Sequence, residues 1–192
     1  MEEVKLTPNN PPKSYCEAVL NPNNFKLKSD WISHKNYHDN EYGFPINDDN
    51  ELFERLILEI NQAGLSWNLM LRKREGFKKA YDNFDIKKVA AYSEKDRERL
   101  LNDEGIIRNR LKINAAIENA NKILEIQKEY GSFKSWLDNH HGKSKEEWVK
   151  LFKKTFKFTG GEIVNEFLMS AGYLVGAHVS SCSIYKLTQK PE

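Results

Sequence analysis

Cysteine is scarce in this chain: its 192 residues contain two, Cys16 and Cys182, near opposite ends. That is too few for the disulfide framework of a small secreted fold, and it fits a reducing compartment. Long apolar runs are missing as well; no window approaches the roughly 18 residues of a membrane span. The start, with Glu2 and Glu3 ahead of Thr7-Pro8-Asn9-Asn10-Pro11-Pro12, is neither basic nor apolar enough for a secretory signal, so the reading places the protein in the cytosol, away from membranes. Net charge is also small. Thirty basic against 28 acidic side chains leave +2, so global charge does not announce a nucleic-acid partner. Any such case rests on local runs: Arg72-Lys73-Arg74 with Lys78-Lys79, Arg108-Asn109-Arg110 with Lys112, and Lys150 with Lys153-Lys154 and Lys157. Each taken alone reads as a solvated helix face. Alternating segments joined by hairpin turns are absent, which argues against a sheet, and there is no internal repeat.

What remains is helix. Asp48 or Asp49 can cap a helix that runs through 51–60 and stops at Gly64, with Leu52, Phe53, Leu56, Ile57 and Ile60 as its apolar stripe. Glu51, Glu54 and Arg55 project to the other side. Further helices are predicted over 69–81, 86–91, 94–101, 108–130, 132–137, 145–156 and 161–171. Residues 1–28, rich in Asn, Pro and Lys without periodicity, read as an extension expected to carry few functional residues.

Five places could carry chemistry. Glu59 sits at the edge of the apolar stripe, where a carboxylate ordinarily serves as the partner of a nearby Arg or Lys. The turn after it, Asn61-Gln62-Ala63-Gly64-Leu65-Ser66-Trp67, pairs a helix stop with a large aromatic that could form a stacking surface or a piece of core. Trp31 and the segment Tyr37-His38-Asp39-Asn40-Glu41-Tyr42-Gly43 gather aromatics, imidazole and carboxylates before the first long helix. His178 and Cys182 have a spacing that could bring two metal ligands together. Finally, 102–110 is a Gly105-centred turn between two helices with Arg108 and Arg110 just past it, the outline of a helix-hairpin-helix. In such a turn, backbone N–H groups and the following helix dipole can hold a DNA phosphate; a plain corner between helices looks the same.

Together these residues resemble the DNA-3-methyladenine glycosylase I family of helix-hairpin-helix repair enzymes. Tyr37-His-Asp-Asn-Glu-Tyr-Gly43 is similar to the family's YHDxEWG signature, with Tyr42 where Trp is usual. Leu58-Glu-Ile-Asn-Gln-Ala-Gly-Leu-Ser-Trp67 is similar to LExxQAGLSW, 105–113 to the hairpin segment, and Phe156-Lys-Phe-Thr-Gly160 to FKFxG. The likeness runs from about residue 29 to residue 182.

The resemblance implies an all-α fold of two helical lobes with the base pocket between them, a hairpin near 102–112, and action on double-stranded DNA that carries alkylated bases; a monomer is expected, because tracking a duplex through short basic patches needs no dimer symmetry. The resemblance also implies hydrolysis of the N-glycosidic bond of 3-methyladenine with no cofactor in the chemistry, and the lack of a candidate lysine nucleophile beside Trp67 predicts a monofunctional enzyme. Glu59 would contact the damaged base; Trp67, Tyr37 and Trp31 would build an aromatic pocket. Gly64 and Leu65 would face the gap in the duplex, and Gly105, Ile107, Arg108 and Arg110 its backbone. The family's structural zinc is held by an N-terminal Cys, the His of YHD and a C-terminal His and Cys. His38, His178 and Cys182 match three of these, but Ser29 stands at the first position, and a neutral serine replaces thiolate on zinc poorly. Cys16 or His34 could supply the fourth ligand from out of register, or the site is empty. Two other readings stay open: a helix-hairpin-helix module that binds damaged DNA without catalysis, and a metal-dependent hydrolase built on His38, His178 and Cys182.

Overall fold

The computed structural model describes residues 11–188, and every regular element among them is helical. In order the α-helices are α1 (Tyr15–Leu20), α2 (Lys28–Asn40), α3 (Asp49–Gln62), α4 (Trp67–Ala80), α5 (Ile86–Ala90), α6 (Glu94–Asn102), α7 (Arg110–Tyr130), α8 (Phe133–Asn139), α9 (Lys145–Thr155), α10 (Gly161–Ser170) and α11 (Tyr185–Thr188), with short 3-10 turns at Pro22–Asn24 and Asp82–Phe84. The helix starts follow from side chains that accept orphan N–H groups: Asp48 caps α3 by accepting from Glu51, Ser66 caps α4 by accepting from Leu69, and Asn109 caps α7 by accepting from Leu111 and Lys112. Ser144 and Glu147 close a reciprocal capping box on α9. No described helix is long and apolar enough to cross a membrane.

Helix α3 runs through the middle of the molecule, with α4, α7, α8 and α10 against it. Every residue from Leu52 to Asn61 is therefore buried, including Glu54 and Arg55, which the stripe pattern alone sets on an outer face. These buried charges persist because they are paired. Arg55 donates to the Tyr37 hydroxyl (3.0 Å), the Ser170 carbonyl (3.4 Å) and Glu41 (3.4 Å), while Arg74 Nε donates to Glu54 at 2.6 Å and Arg74 Nη1 to Glu41 at 2.7 Å. The side chains of the basic run 72–74 are thus each engaged by partners within the chain, with Arg74 largely buried and Arg72 at the surface. Arg72 closes on Asp30 of α2, and Lys73 donates to the Glu104 carbonyl.

Two elements differ from expectation. Residues 28–40 form one helix, although no apolar stripe marks it; the positions it buries, Asp30, His34, Tyr37 and His38, keep helical spacing but are polar. Within the extension expected to hold little, Tyr15–Leu20 form α1, placing Cys16 in the core and Tyr15 beside the site; residues 1–10 of it lie outside the described residues.

The hairpin between α6 and α7 is locked from behind. A Cβ on Gly76 of α4 would lie 2.4 Å from the Gly105 carbonyl oxygen, so only glycine lets α4 approach the turn this closely.

Candidate active site

At the C-terminal end of α3, a small cavity of about 130 Å³ is lined by Tyr15, Tyr37, Tyr42, Glu59, Gln62, Trp67 and Glu166. It adjoins a broader trough of about 620 Å³ formed by Glu59, 62–65, 160–163 and Glu166. The rings of Tyr37 and Trp67 lie 5.0 Å apart at 50°, and Tyr15 meets Tyr42 edge to face at 5.5 Å. Trp31, expected in this wall, is elsewhere. Its indole Nε1 donates to the Val19 carbonyl at 2.8 Å, so it fastens α2 to α1, and Tyr15 from α1 stands in the wall instead.

Glu59 is 4% exposed. Burial drives its pKa from an ordinary 4.5 up to about 8; Arg55 pulls it down, and Glu166 pushes it further up. The floor of the pocket therefore carries an uncharged carboxyl at neutral pH when no ligand is present. Such a group can donate one hydrogen bond and accept others, and a cation placed against it would favour its ionised form. Tyr37, fully buried, has a hydroxyl raised above its usual value by the same desolvation, and its ring faces the Arg55 guanidinium at 4.9 Å.

The turn after α3 is set by two residues. Gly64 has φ +79, a left-handed conformation that a side chain resists, and this brings Leu65 out to 40% exposure on the trough. Beneath it, Lys112 of α7 donates from Nζ to the carbonyls of Asn61 and Ala63, both at 2.8 Å. Lys112 reads in sequence as part of a solvated basic run. It is 5% exposed, and it ties the hairpin helix to the loop that ends at Leu65.

Around the hairpin, Arg108 and Arg110 are exposed, each beside a glutamate, and Ile106 is buried behind them. Gly105 does not offer its amide outward as expected: Asp103 Oδ1 accepts it at 2.7 Å. Asn109 takes the amides of Leu111 and Lys112. Those of Ile107 and Arg108 have no acceptor among the described residues.

On the far side of Tyr42, Cys16, His38, His178 and Cys182 converge, with their ligand atoms all within 4.8 Å of one another. Cys16 Sγ lies 3.6 Å from His178 Nδ1, and Cys182 Sγ lies 3.7 Å from both His178 Nδ1 and His38 Nε2.

The methyladenine glycosylase family model matches residues 30–151. The chain belongs to this family. Among curated relatives, the DNA-3-methyladenine glycosylase 1 of Escherichia coli (strain K12) is 39% identical over 168 residues, covering 78% of this chain and 89% of that protein. The Haemophilus influenzae DNA-3-methyladenine glycosylase is 33% identical over 165 residues, covering 76% and 89%. Among solved structures, a variant of 3-methyladenine DNA glycosylase I in complex with 3-methyladenine superposes with a TM-score of 0.73 at 31% identity, covering 79% of this chain and 91% of that one. The Staphylococcus aureus enzyme gives 0.72 at 32%, covering 79% and 90%.

The resemblance leaves Ser29 at the first ligand position, and the four-residue cluster brings a different residue to His38, His178 and Cys182. Cys16, on the helix that precedes the matched region, is the residue that would supply the fourth ligand; His34 is turned to the Tyr15 hydroxyl at 3.0 Å. A tetrahedral zinc with bonds of about 2.3 Å to sulfur and about 2.0 Å to nitrogen sets S···N edges of roughly 3.5 Å. The three S···N separations of 3.6 and 3.7 Å come close to that edge. The outer ring nitrogens are also held: His38 Nδ1 by Asp39 at 2.8 Å and His178 Nε2 by the Tyr42 carbonyl at 2.7 Å, which leaves the inner nitrogens to face the sulfurs. Burial lowers the pKa of His178 and so favours the neutral ring that a metal needs.

Proposed function

We propose that this chain is a DNA-3-methyladenine glycosylase of base-excision repair, hydrolysing the N-glycosidic bond of the alkylated base by a monofunctional mechanism. The observation that carries this reading is the buried Glu59 at the floor of a cavity walled by Tyr15, Tyr37, Tyr42 and Trp67. Methylation at N3 puts a positive charge on adenine, and breaking the C1′–N9 bond sends its electron pair into the ring and neutralises that charge. The leaving group needs little protonation; the enzyme must find the base and hold it.

The duplex docks through Arg108, Arg110 and the amides of Ile107 and Arg108, while Leu65, carried on the Gly64 turn, fills the space the base vacates. Extruding the base costs a few kcal/mol, least for a damaged pair. Stacking a cation on desolvated aromatic faces returns about 2 kcal/mol. Glu59 accepts hydrogen bonds from the adenine edge and, ionised beside the cation, selects it over ordinary adenine. Equal attraction before and during cleavage would not raise the rate. Acceleration therefore comes from holding the glycosidic bond strained between Leu65 and the pocket while water attacks C1′ and loses its proton.

No lysine lines either cavity, and the Lys112 ammonium is engaged with two carbonyls, which supports simple hydrolysis over a Schiff base with strand cleavage. Zinc held by Cys16, His38, His178 and Cys182 belongs to the proposal as a structural clasp between the chain's two ends. So do action as a monomer, one chain supplying both pocket and hairpin, and an intracellular setting, supported by two free cysteines.

The test is release of free base from methylated duplex DNA by the purified protein and by Glu59→Gln, with products separated by chromatography. The expected outcome is 3-methyladenine from the wild type and a large loss in the variant. Binding without release by the folded wild type would instead establish a damage-binding module. A borohydride-trapped covalent complex would overturn the monofunctional step.

A further inference from the structure

The base-contacting role proposed above falls on Glu59, yet the same cavity holds a second carboxylate. Glu166, on α10, lines both the aromatic pocket and the trough, so it stands where the two spaces join. Its Oε2 accepts a hydrogen bond from the Tyr42 hydroxyl at 3.1 Å. Tyr42 is also the position at which this chain departs from the family's YHDxEWG signature, so the hydroxyl that holds Glu166 comes from the departing residue.

The two carboxylates occupy different surroundings. Glu59 is sealed at the floor and stays protonated at neutral pH while the pocket is empty. Glu166 is only half-buried, on the edge of an open trough; burial raises its pKa, and the Tyr42 hydroxyl works against that by bonding the charged form. No Lys or Arg lines either cavity, and the Lys145 ammonium outside them favours the charged form of Glu166 from a distance. A carboxylate at the mouth of an aromatic slot, in its charged form, complements a flat ring that carries delocalised positive charge.

We propose that Glu166 is a specificity-determining residue of this pocket, supplying a second negative charge, beside that of Glu59, that selects cationic N-alkylated purines over neutral ones of the same shape. The assignment rests on the glycosylase reading of the cavity and adds to it: Glu59 contacts the hydrogen-bonding edge from the floor, and Glu166 is a second carboxylate that reads the charge from the mouth. A carboxylate and a ring cation a few ångströms apart near a protein surface attract strongly enough to shift binding by about tenfold or more.

The experiment compares two isosteric ligands by calorimetry: the permanently cationic 3,9-dimethyladeninium, and its neutral counterpart in which carbon replaces N3. Wild type should prefer the cation. Glu166→Gln should lose about tenfold of that preference while binding the neutral ring within about twofold of wild type, and Glu166→Asp should restore part of it. A preference unchanged in Glu166→Gln overturns the proposal, and so does an equal loss for both ligands, which would make Glu166 a wall and not a charge reader. Thermal unfolding of each variant confirms that a fold is present. Base release from methylated duplex is scored separately: a wild type that releases no base yet prefers the cation loses the enzyme reading and keeps this one.

Discussion

Replacing Glu59 by Gln should make the protein more stable as it makes it less active, and the gain should depend on pH in a defined way. The Glu59 pKa rises from 4.5 to about 8 on folding, so between those values the folded state binds a proton that the unfolded state has released. Stability from this group is fully present below pH 4.5, declines as pH rises and is gone above about 8. One pKa unit is ~1.4 kcal/mol, so the whole span is roughly 5 kcal/mol at most. Water entering the cavity beside the ionised carboxylate reduces it, and we expect roughly 2–5 kcal/mol. Glutamine mimics the protonated form at every pH and loses nothing. At ~2–4 °C per kcal/mol for a chain of this size, Glu59→Gln should melt at least ~4 °C above wild type at pH 9 and close to it at pH 5. Calorimetric melting of both proteins from pH 5 to 9 measures the difference, in which all other titrations cancel. A gap that stays constant within about 1 °C over that range, or one that favours wild type at alkaline pH, would refute the assignment of Glu59 as a desolvated, destabilising carboxylate.

Three further outcomes follow from the same geometry. Lys112→Met leaves the Asn61 and Ala63 carbonyls without their donor, at ~1–3 kcal/mol each and partly offset by relief of a buried ammonium. A net loss of about 2–3 kcal/mol in denaturant titration, with slower base release because the Leu65 turn loosens, is expected; a midpoint equal to wild type would sink it. Arg108→Ala should weaken binding to any duplex sequence and lower the slope of log affinity against log salt by roughly one counterion, whereas an unchanged slope would place the phosphate contact elsewhere. Cys16→Ser should drop bound zinc well below one per chain by elemental analysis and lower the melting temperature, with base release retained by the folded fraction. Ser29→Ala should do none of this, and the reverse pattern would return the ligand to Ser29.

Much of this arrangement is legible in the sequence wherever an apolar period coincides with a cap. The start of α3 at Asp48, the stop at Gly64, and the helices over 86–90 and 94–102 lie within a residue or two of expectation. Helix α2 was not, and the reason is physical. Its inward positions are Asp30, His34, Tyr37 and His38, chosen for bonds to Arg72, to Tyr15 and to the metal-ligand cluster, so hydrophobic periodicity has nothing to register. Glu54 and Arg55 mislead in the opposite sense, because a charged residue on a central helix reads as exposed until its partners on distant segments are known.

The same logic accounts for Tyr15 and Cys16. Adjacent residues on a short helix necessarily point in different directions, and here one enters the aromatic cavity while the other joins the ligand cluster. The Tyr15 hydroxyl bonds to His34, and its ring contacts both His38 and Tyr42. Neither residue has a local signal, since α1 spans six residues within an Asn- and Pro-rich extension. What marks them is pairing over long sequence distance, Cys16 with His178 and Tyr15 with Tyr42, which no window along the chain contains. The clasp and the pocket therefore share one element. If zinc fixes α1 through Cys16, the metal also fixes the wall that Tyr15 contributes, so its loss should loosen the fit of the base even though the metal takes no part in breaking the bond.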